Sequence, residues 1–181
     1  MKKIIVLLMV VLVGITSQAQ FKQASLQAAG LTCAMCTKAI NKALEQVAFV
    51  QGVKVDIKTS TFLVDFKEGV PVEFDAVKKA VEDAGFSVAK LTVTGVFNNV
   101  DVQNDAHIKI DGKTFHFLKV NKQTLQGEQA ITLVDKDFVT AKEYKKYSAA
   151  TAMACVKTGR AQNCCTKDGV AADSRIYHVT I

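Results

Sequence analysis

Gly30-Leu31-Thr32-Cys33-Ala34-Met35-Cys36 reads as a loop running into a helix. Beyond it, Ile40, Ala43, Leu44 and Val47 recur at the spacing of one helical face. Upstream, Ser25 to Ala29 has the character of a short strand. Downstream of Gly52, the apolar Val53, Val55 and Ile57 alternate with Lys54, Asp56 and Lys58, the pattern of a half-buried strand. Thr59-Ser60 makes a tight turn, and Phe62, Val64 and Phe66 alternate in a second strand. Pro71 precedes a helix whose buried face is Phe74, Val77, Val81 and Ala84, with Gly85 just past its end, where a left-handed residue is favoured. Phe86 to Val93 closes the unit as a strand. The order is βαββαβ, an α+β split βαβ sandwich with both helices on one face of an antiparallel sheet.

The chemistry of this unit lies in its first loop. Cys33 and Cys36 are spaced so that both sulfurs converge at a helix N-terminus, where free N–H groups and the helix dipole favour thiolates. Two thiolates suit a soft metal at low coordination number. Residues 20–93 contain no His, and no acid lies within the Cys loop, so a hard cation would find few ligands. A thioredoxin-like redox site also uses C-x-x-C, but in a longer pattern with a cis-proline, and the only proline here is Pro71. A disulfide between Cys33 and Cys36 is the alternative in an oxidising compartment.

Gly30 to Cys36, followed by Lys38-Ala39-Ile40 and Ala43-Leu44, resembles the heavy-metal-associated (HMA) family with its G-M-T-C-x-x-C signature. Val77 to Phe86, ending Glu82-Asp83-Ala84-Gly85-Phe86, is similar to that family's second helix and its ending. The family includes copper chaperones, N-terminal domains of metal-pumping P-type ATPases and periplasmic mercury-binding proteins. The resemblance implies a ferredoxin-like fold, Cys33 and Cys36 as metal ligands, and Phe86 flanking the metal. Leu31 stands where the family usually has Met, and packing beneath the loop should survive that change. Thr32 stands where zinc- and cadmium-selective members often carry an acid, so the resemblance favours Cu(I), with Hg(II) or Zn(II) as other candidates. Its partners would be the metal ion and a metal-transporting or metal-accepting protein.

The chain has 181 residues, of which 49% are hydrophobic, with five Cys and a net charge of +6. That apolar fraction excludes a disordered chain, and five cysteines are too few for a disulfide-built miniprotein. Lys2 and Lys3 precede an apolar run from Ile4 to Val13, then Ser17-Gln18-Ala19, the form of a secretory signal over residues 1–19. The run is far short of the ~20 residues that span a bilayer. Cleavage after Ala19 would lower the charge from +6 to +4 and leave a periplasmic or otherwise exported protein without a membrane segment. That charge, without an aromatic-basic stripe, gives no reason to expect nucleic acid.

The HMA unit is expected over residues 20–93, with a second, β-rich domain of unknown function over 94–181. The Asn- and Asp-rich stretch from Gly95 to Asp105 is read as the link. Asp111-Gly112 marks a hairpin between His107–Asp111 and Lys113–Val120, and Ala130 to Val134 and Arg175 to Ile181 are further strands. Thr140-Ala141-Lys142-Glu143 has the form of a capping box opening a short helix, with Lys142, Lys145 and Lys146 on its solvated face. A five-stranded barrel of the oligonucleotide/oligosaccharide-binding (OB) kind is one architecture for this half.

Cys155, Cys164 and Cys165 remain. They read as one disulfide plus a spare thiol, or with Met153 as a second soft-metal site. His107, His116 and His178 each sit in a strand-like stretch and are read as structural or solvent-facing. No hydrolase, Walker or dinucleotide fingerprint is present, and nothing points to an enzyme. The reading is an exported protein that binds and transfers Cu(I) through Cys33 and Cys36 by thiolate exchange. The rivals are a thiol-disulfide redox protein and a partner-binding module with a vestigial metal loop. Lys38 and Lys42 would steer an acidic partner or form a solvated face.

Overall fold

The computed structural model describes residues 20–31 and 34–181. The expected signal over residues 1–19, Thr32 and Cys33 lie outside the described residues.

The first half follows its hydrophobic periods. Strand β1 is Gln20–Ala29, helix α1 Ala34–Glu45, β2 Val50–Asp56, β3 Thr61–Phe66, helix α2 Phe74–Asp83 and β4 Ser87–Val102. Helix α1 buries Ile40 and Leu44, and α2 buries Phe74, Val77 and Val81. Gly85 ends α2 at φ +87°, a conformation that only glycine adopts freely, and Phe86 N–H returns to the Val81 carbonyl at 3.1 Å. This is the expected βαββαβ unit, with strands in the order β2-β3-β1-β4.

The second half is β-rich as expected, but among the described residues it does not close into a barrel. Strands β5 (Ala106–Ile110), β6 (Lys113–Phe117), β7 (Gln123–Leu133) and β8 (Ile176–Thr180) continue the first sheet. The result is one open eight-stranded sheet in the order β2-β3-β1-β4-β7-β8-β6-β5. All neighbours are antiparallel except β6 and β8. The physical reason is β4. It pairs with β1 on one side and with β7 on the other, from Leu91↔Leu133 to Val102↔Gln123. It therefore passes straight through positions 93 and 94. The Asn and Asp residues beyond them do not end the strand. A bulge between Phe97 and Val100 absorbs Asn99 at φ 51°.

Local signals in this half hold. Asp111 and Gly112 both have positive φ, 49° and 70°, as a two-residue hairpin turn requires. The Thr140 hydroxyl accepts from the Glu143 N–H and caps helix α3, Ala141–Ser148. A single aromatic cluster joins the halves. Phe74 of α2 lies 5.1 Å from Phe21, 6.2 Å from Phe115 and 5.1 Å from Tyr177, centroid to centroid. After α3, residues 149–175 carry only helix α4 (Cys155–Thr158) and one 3-10 turn, Thr166–Asp168. No helix among the described residues is long and apolar enough to cross a membrane.

Candidate functional site

Of the predicted N-terminal pair, Cys36 lies in the first turn of α1 and is partly exposed. Gly30, at φ +81°, turns the chain from β1 toward that helix. Leu31 is partly buried against the main core. Met35 is 74% exposed, so the segment carrying Cys36 faces outward. Phe86 is partly buried against the same core. Lys38 and Lys42 are exposed on α1.

The second group of cysteines is brought together. The sulfurs of Cys155, Cys164 and Cys165 lie within 4.8 Å of one another, and all three are thiols. Met153 packs against their small apolar cluster with Ala161, Val170 and Ile176. Burial pushes the Cys155 thiol up, and the adjacent Cys165 and Cys164 push it further. Cys164 moves the other way. Burial opposes its ionisation, but hydrogen bonding from the backbone at Ala154 and from Cys165 outweighs burial and lowers its pKa.

The histidines were not legible as part of this group. Strand register puts them in one row, His107 opposite His116 across β5 and β6, and His116 opposite His178 across β6 and β8. The alternation of β6 turns its Phe115 and Phe117 to the main core and His116 to the other face. The His107 and His116 rings stack at 4.4 Å, and His116 and His178 meet edge to face at 5.1 Å. Cys155, at the start of α4, sits over the row. Its Sγ is 3.7 Å from His107 Nε2, 3.7 Å from His116 Nδ1 and 3.5 Å from His178 Nε2.

Each ring's other nitrogen is held by a carboxylate. His107 Nδ1 is 2.7 Å from Asp168, His116 Nε2 2.9 Å from Asp105, and His178 Nδ1 2.8 Å from Asp135. The His116 pKa falls to about 4, first through burial and then through the neighbouring His178 and His107, against the pull of Asp105.

Asp135 links this cluster to the first half. Arg175 donates to Asp135 at 3.3 Å through Nη1, and to both oxygens of Asp75 on α2, at 2.8 Å through Nε and 3.1 Å through Nη2. Tyr177 donates to Asp75 as well, at 3.2 Å. Gly159, at φ +67°, makes room for the guanidinium, since a Cβ there would lie 2.7 Å from Arg175 Nη1. The expected spacing signals could not reveal this convergence, because its members run from residue 105 to residue 178. The one available hint was that all three histidines and three of the five cysteines share the second half.

The heavy-metal-associated domain model matches residues 25–87. A probable copper-exporting P-type ATPase of Archaeoglobus fulgidus is 37% identical over 59 residues, which are 33% of this chain and 7% of that protein. Copper-transporting ATPase 1 of Rhizobium meliloti is 39% identical over 66 residues, 36% of this chain and 8% of that protein. The chain thus spans less than a tenth of the length of either curated relative. Among solved structures, a CopZ metallochaperone is 27% identical, covering 37% of this chain and 98% of its own, with a TM-score of 0.34. Oxidised MerP from Ralstonia metallidurans CH34 is 30% identical over 38% of this chain and 97% of its own, also with a TM-score of 0.34. Residues 25–87 of this chain are a heavy-metal-associated domain.

Proposed function

We propose that this protein is exported and uses Cys33 and Cys36 to bind Cu(I) and pass it to a metal-transporting or metal-accepting partner. It acts as a carrier and not as an enzyme. The observation that carries this reading is the domain match across residues 25–87, which spans the whole Gly30–Cys36 loop and includes copper-transporting ATPases among its relatives.

The mechanism follows from where the loop sits. Cys33 and Cys36, three positions apart in the sequence, offer two soft sulfur ligands. They hold a d10 ion with coordination positions still open. With Met35 beside Cys36 exposed, a partner thiolate can enter before a resident one leaves, so the ion is never released to water. The exposed Lys38 and Lys42 on the same helix offset the negative charge of a bis-thiolate complex and favour an acidic partner surface.

The test is anaerobic competition titration with Cu(I), Zn(II) and Hg(II) on the wild type and on the Cys33→Ser/Cys36→Ser variant. The expected result is a Cu(I) equivalent that the variant loses. Equal Cu(I) binding by both proteins would make the loop vestigial. Disulfide exchange with model substrates, without metal uptake, would make it a redox site.

A further inference from the structure

The N-terminal loop leaves the buried cluster around Cys155 without a role. The side chains of His107, His116 and His178 are at most 1% exposed, and Cys155 is fully buried. A carboxylate beside an imidazole nitrogen accepts its N–H, so Asp168, Asp105 and Asp135 each fix which ring nitrogen of their histidine is the donor. The remaining ring nitrogens, His107 Nε2, His116 Nδ1 and His178 Nε2, then present lone pairs, and all three face one sulfur. A thiol has a single proton and can satisfy one of them. Three imidazole nitrogens thus converge on one buried sulfur, the donor arrangement that a shared electrophile would bind.

We propose that His107, His116, His178 and Cys155 form a second metal site, which retains a tetrahedral Zn(II)-type ion. The ligand atoms of His107, His116 and Cys155 lie within 4.8 Å of one another, and His178, on the next strand, brings its Nε2 to 3.5 Å from the Cys155 sulfur. In a tetrahedral site with Zn–S of about 2.3 Å and Zn–N of about 2.0–2.1 Å, sulfur and nitrogen ligands stand about 3.5–3.6 Å apart. The three S···N distances here are 3.5, 3.7 and 3.7 Å. The carboxylate behind each imidazole is the outer shell that fixes tautomer and orientation in histidine metal sites. Two of these carboxylates are themselves anchored. Asp105 accepts from Thr151 at 2.6 Å, and Asp135 accepts from Arg175 and from the His178 N–H.

The donor set selects the ion. Three nitrogens and one sulfur suit Zn(II), whereas the adjacent Cys155, Cys164 and Cys165 would together suit Cu(I). The ligands also explain what the ion would do. They tie α4 and its irregular flanks to β5, β6 and β8, where the apolar cluster is small. The metal takes the place of a core in residues 149–175. This site is independent of the Cu(I) reading of the N-terminal loop.

The test uses the full chain carrying Cys33→Ser/Cys36→Ser, titrated with Co(II) and then Zn(II). The expected result is one Co(II) per chain with the intense visible bands of tetrahedral cobalt and a thiolate-to-cobalt charge-transfer band, both removed by Zn(II). Cys155→Ser should abolish the charge-transfer band. Asp168→Asn, which touches only the outer nitrogen of His107, should weaken Zn(II) roughly 10- to 100-fold with an unchanged circular dichroism spectrum. Absence of Co(II) and Zn(II) binding would overturn the proposal. So would a charge-transfer band that survives Cys155→Ser but is lost in Cys164→Ser/Cys165→Ser. If Cys155→Ser does not fold, Asp168→Asn decides, and unchanged Zn(II) affinity there overturns the site. Cu(I) uptake by the Asp168→Asn chain with its N-terminal loop intact reports separately on the loop.

Discussion

Met35, beside Cys36 in the first turn of α1, is 74% exposed, while the three histidine side chains that face Cys155 are exposed to 1% or less. The first thiol region sits at a helix start with solvent on one side. The second is enclosed by three strands, α4 and a shell of carboxylates. Exposure suits exchange with an incoming ligand, and enclosure suits retention. One chain thus presents thiols in two environments, Cys36 partly exposed and Cys155 buried. Yet both environments flank one continuous eight-stranded sheet, so the difference lies in local packing.

The sharpest way to break the contrast is thiol reactivity. In the reduced, metal-free protein, alkylation of Cys36 should outpace that of Cys155 by on the order of a thousandfold, because a buried thiol reacts only through an opening that costs several kcal/mol. Peptide mapping after timed alkylation measures this, and comparable rates would erase the distinction.

The shared core is tested by Phe74→Ala, which empties the position between Phe21, Phe115 and Tyr177. The expected cost is about 3–5 kcal/mol. Denaturant melts followed by reporters in each half should move together, and two separated transitions would show that the halves unfold independently.

Arg175→Ala probes the link between α2 and the histidine cluster. It leaves Asp135, 5% exposed, without its guanidinium partner. A loss of about 3 kcal/mol is expected, at the lower end for a broken buried pair because Asp75 is 44% exposed. Urea unfolding against Arg175→Lys separates bidentate geometry from charge.

A smaller effect follows from pH. Burial works to raise the Asp75 pKa, but the hydrogen bonds and charge of Arg175 outweigh it and leave it lowered. A lowered folded-state pKa means that the ionised carboxylate stabilises the fold above the ordinary value of about 3.9 and that this contribution fades as pH falls through the folded-state value. The gap in urea midpoint between wild type and Asp75→Asn should therefore be wide at neutral pH and close in acid. A constant gap would remove Asp75 from the acid response.

The smallest effect belongs to Thr140→Ala, which deletes a 3.4 Å cap on α3. It should cost about 1 kcal/mol or less and leave both thiol regions unaltered. A changed Cys155 alkylation rate would show that α3 helps close the buried cluster.

What could be read from sequence was local. The alternation of Val53 and Val55, the helical face of Phe74, Val77 and Val81, Gly85 past its end, Asp111-Gly112 and the Thr140 cap all depend on neighbours within a few positions. Ile57, grouped with that alternation, falls one residue beyond β2 and is exposed, since strand ends are set by pairing and not by pattern. Asn98-Asn99 signalled a break, but pairing with β7 on the far side carried β4 past it. The histidine row needs the parallel register of β6 and β8, strands whose starts are 63 residues apart, and no periodicity encodes that. The Gly30–Cys36 loop was readable because its chemistry is contiguous, whereas the Cys155 cluster exists only after the chain has folded.

Strand β4 carries one more consequence. An isolated ferredoxin-like unit would present β4 as an open edge, a row of unpaired backbone donors and acceptors able to recruit another strand. Here β7 occupies that edge from Leu91 onward. A protein trimmed after Val93 would lose this cover and bare the seam where Leu91 and Val93 meet Leu133 and Ile131. The second half thus takes up, within the same chain, the backbone groups that the first unit's β4 would otherwise present.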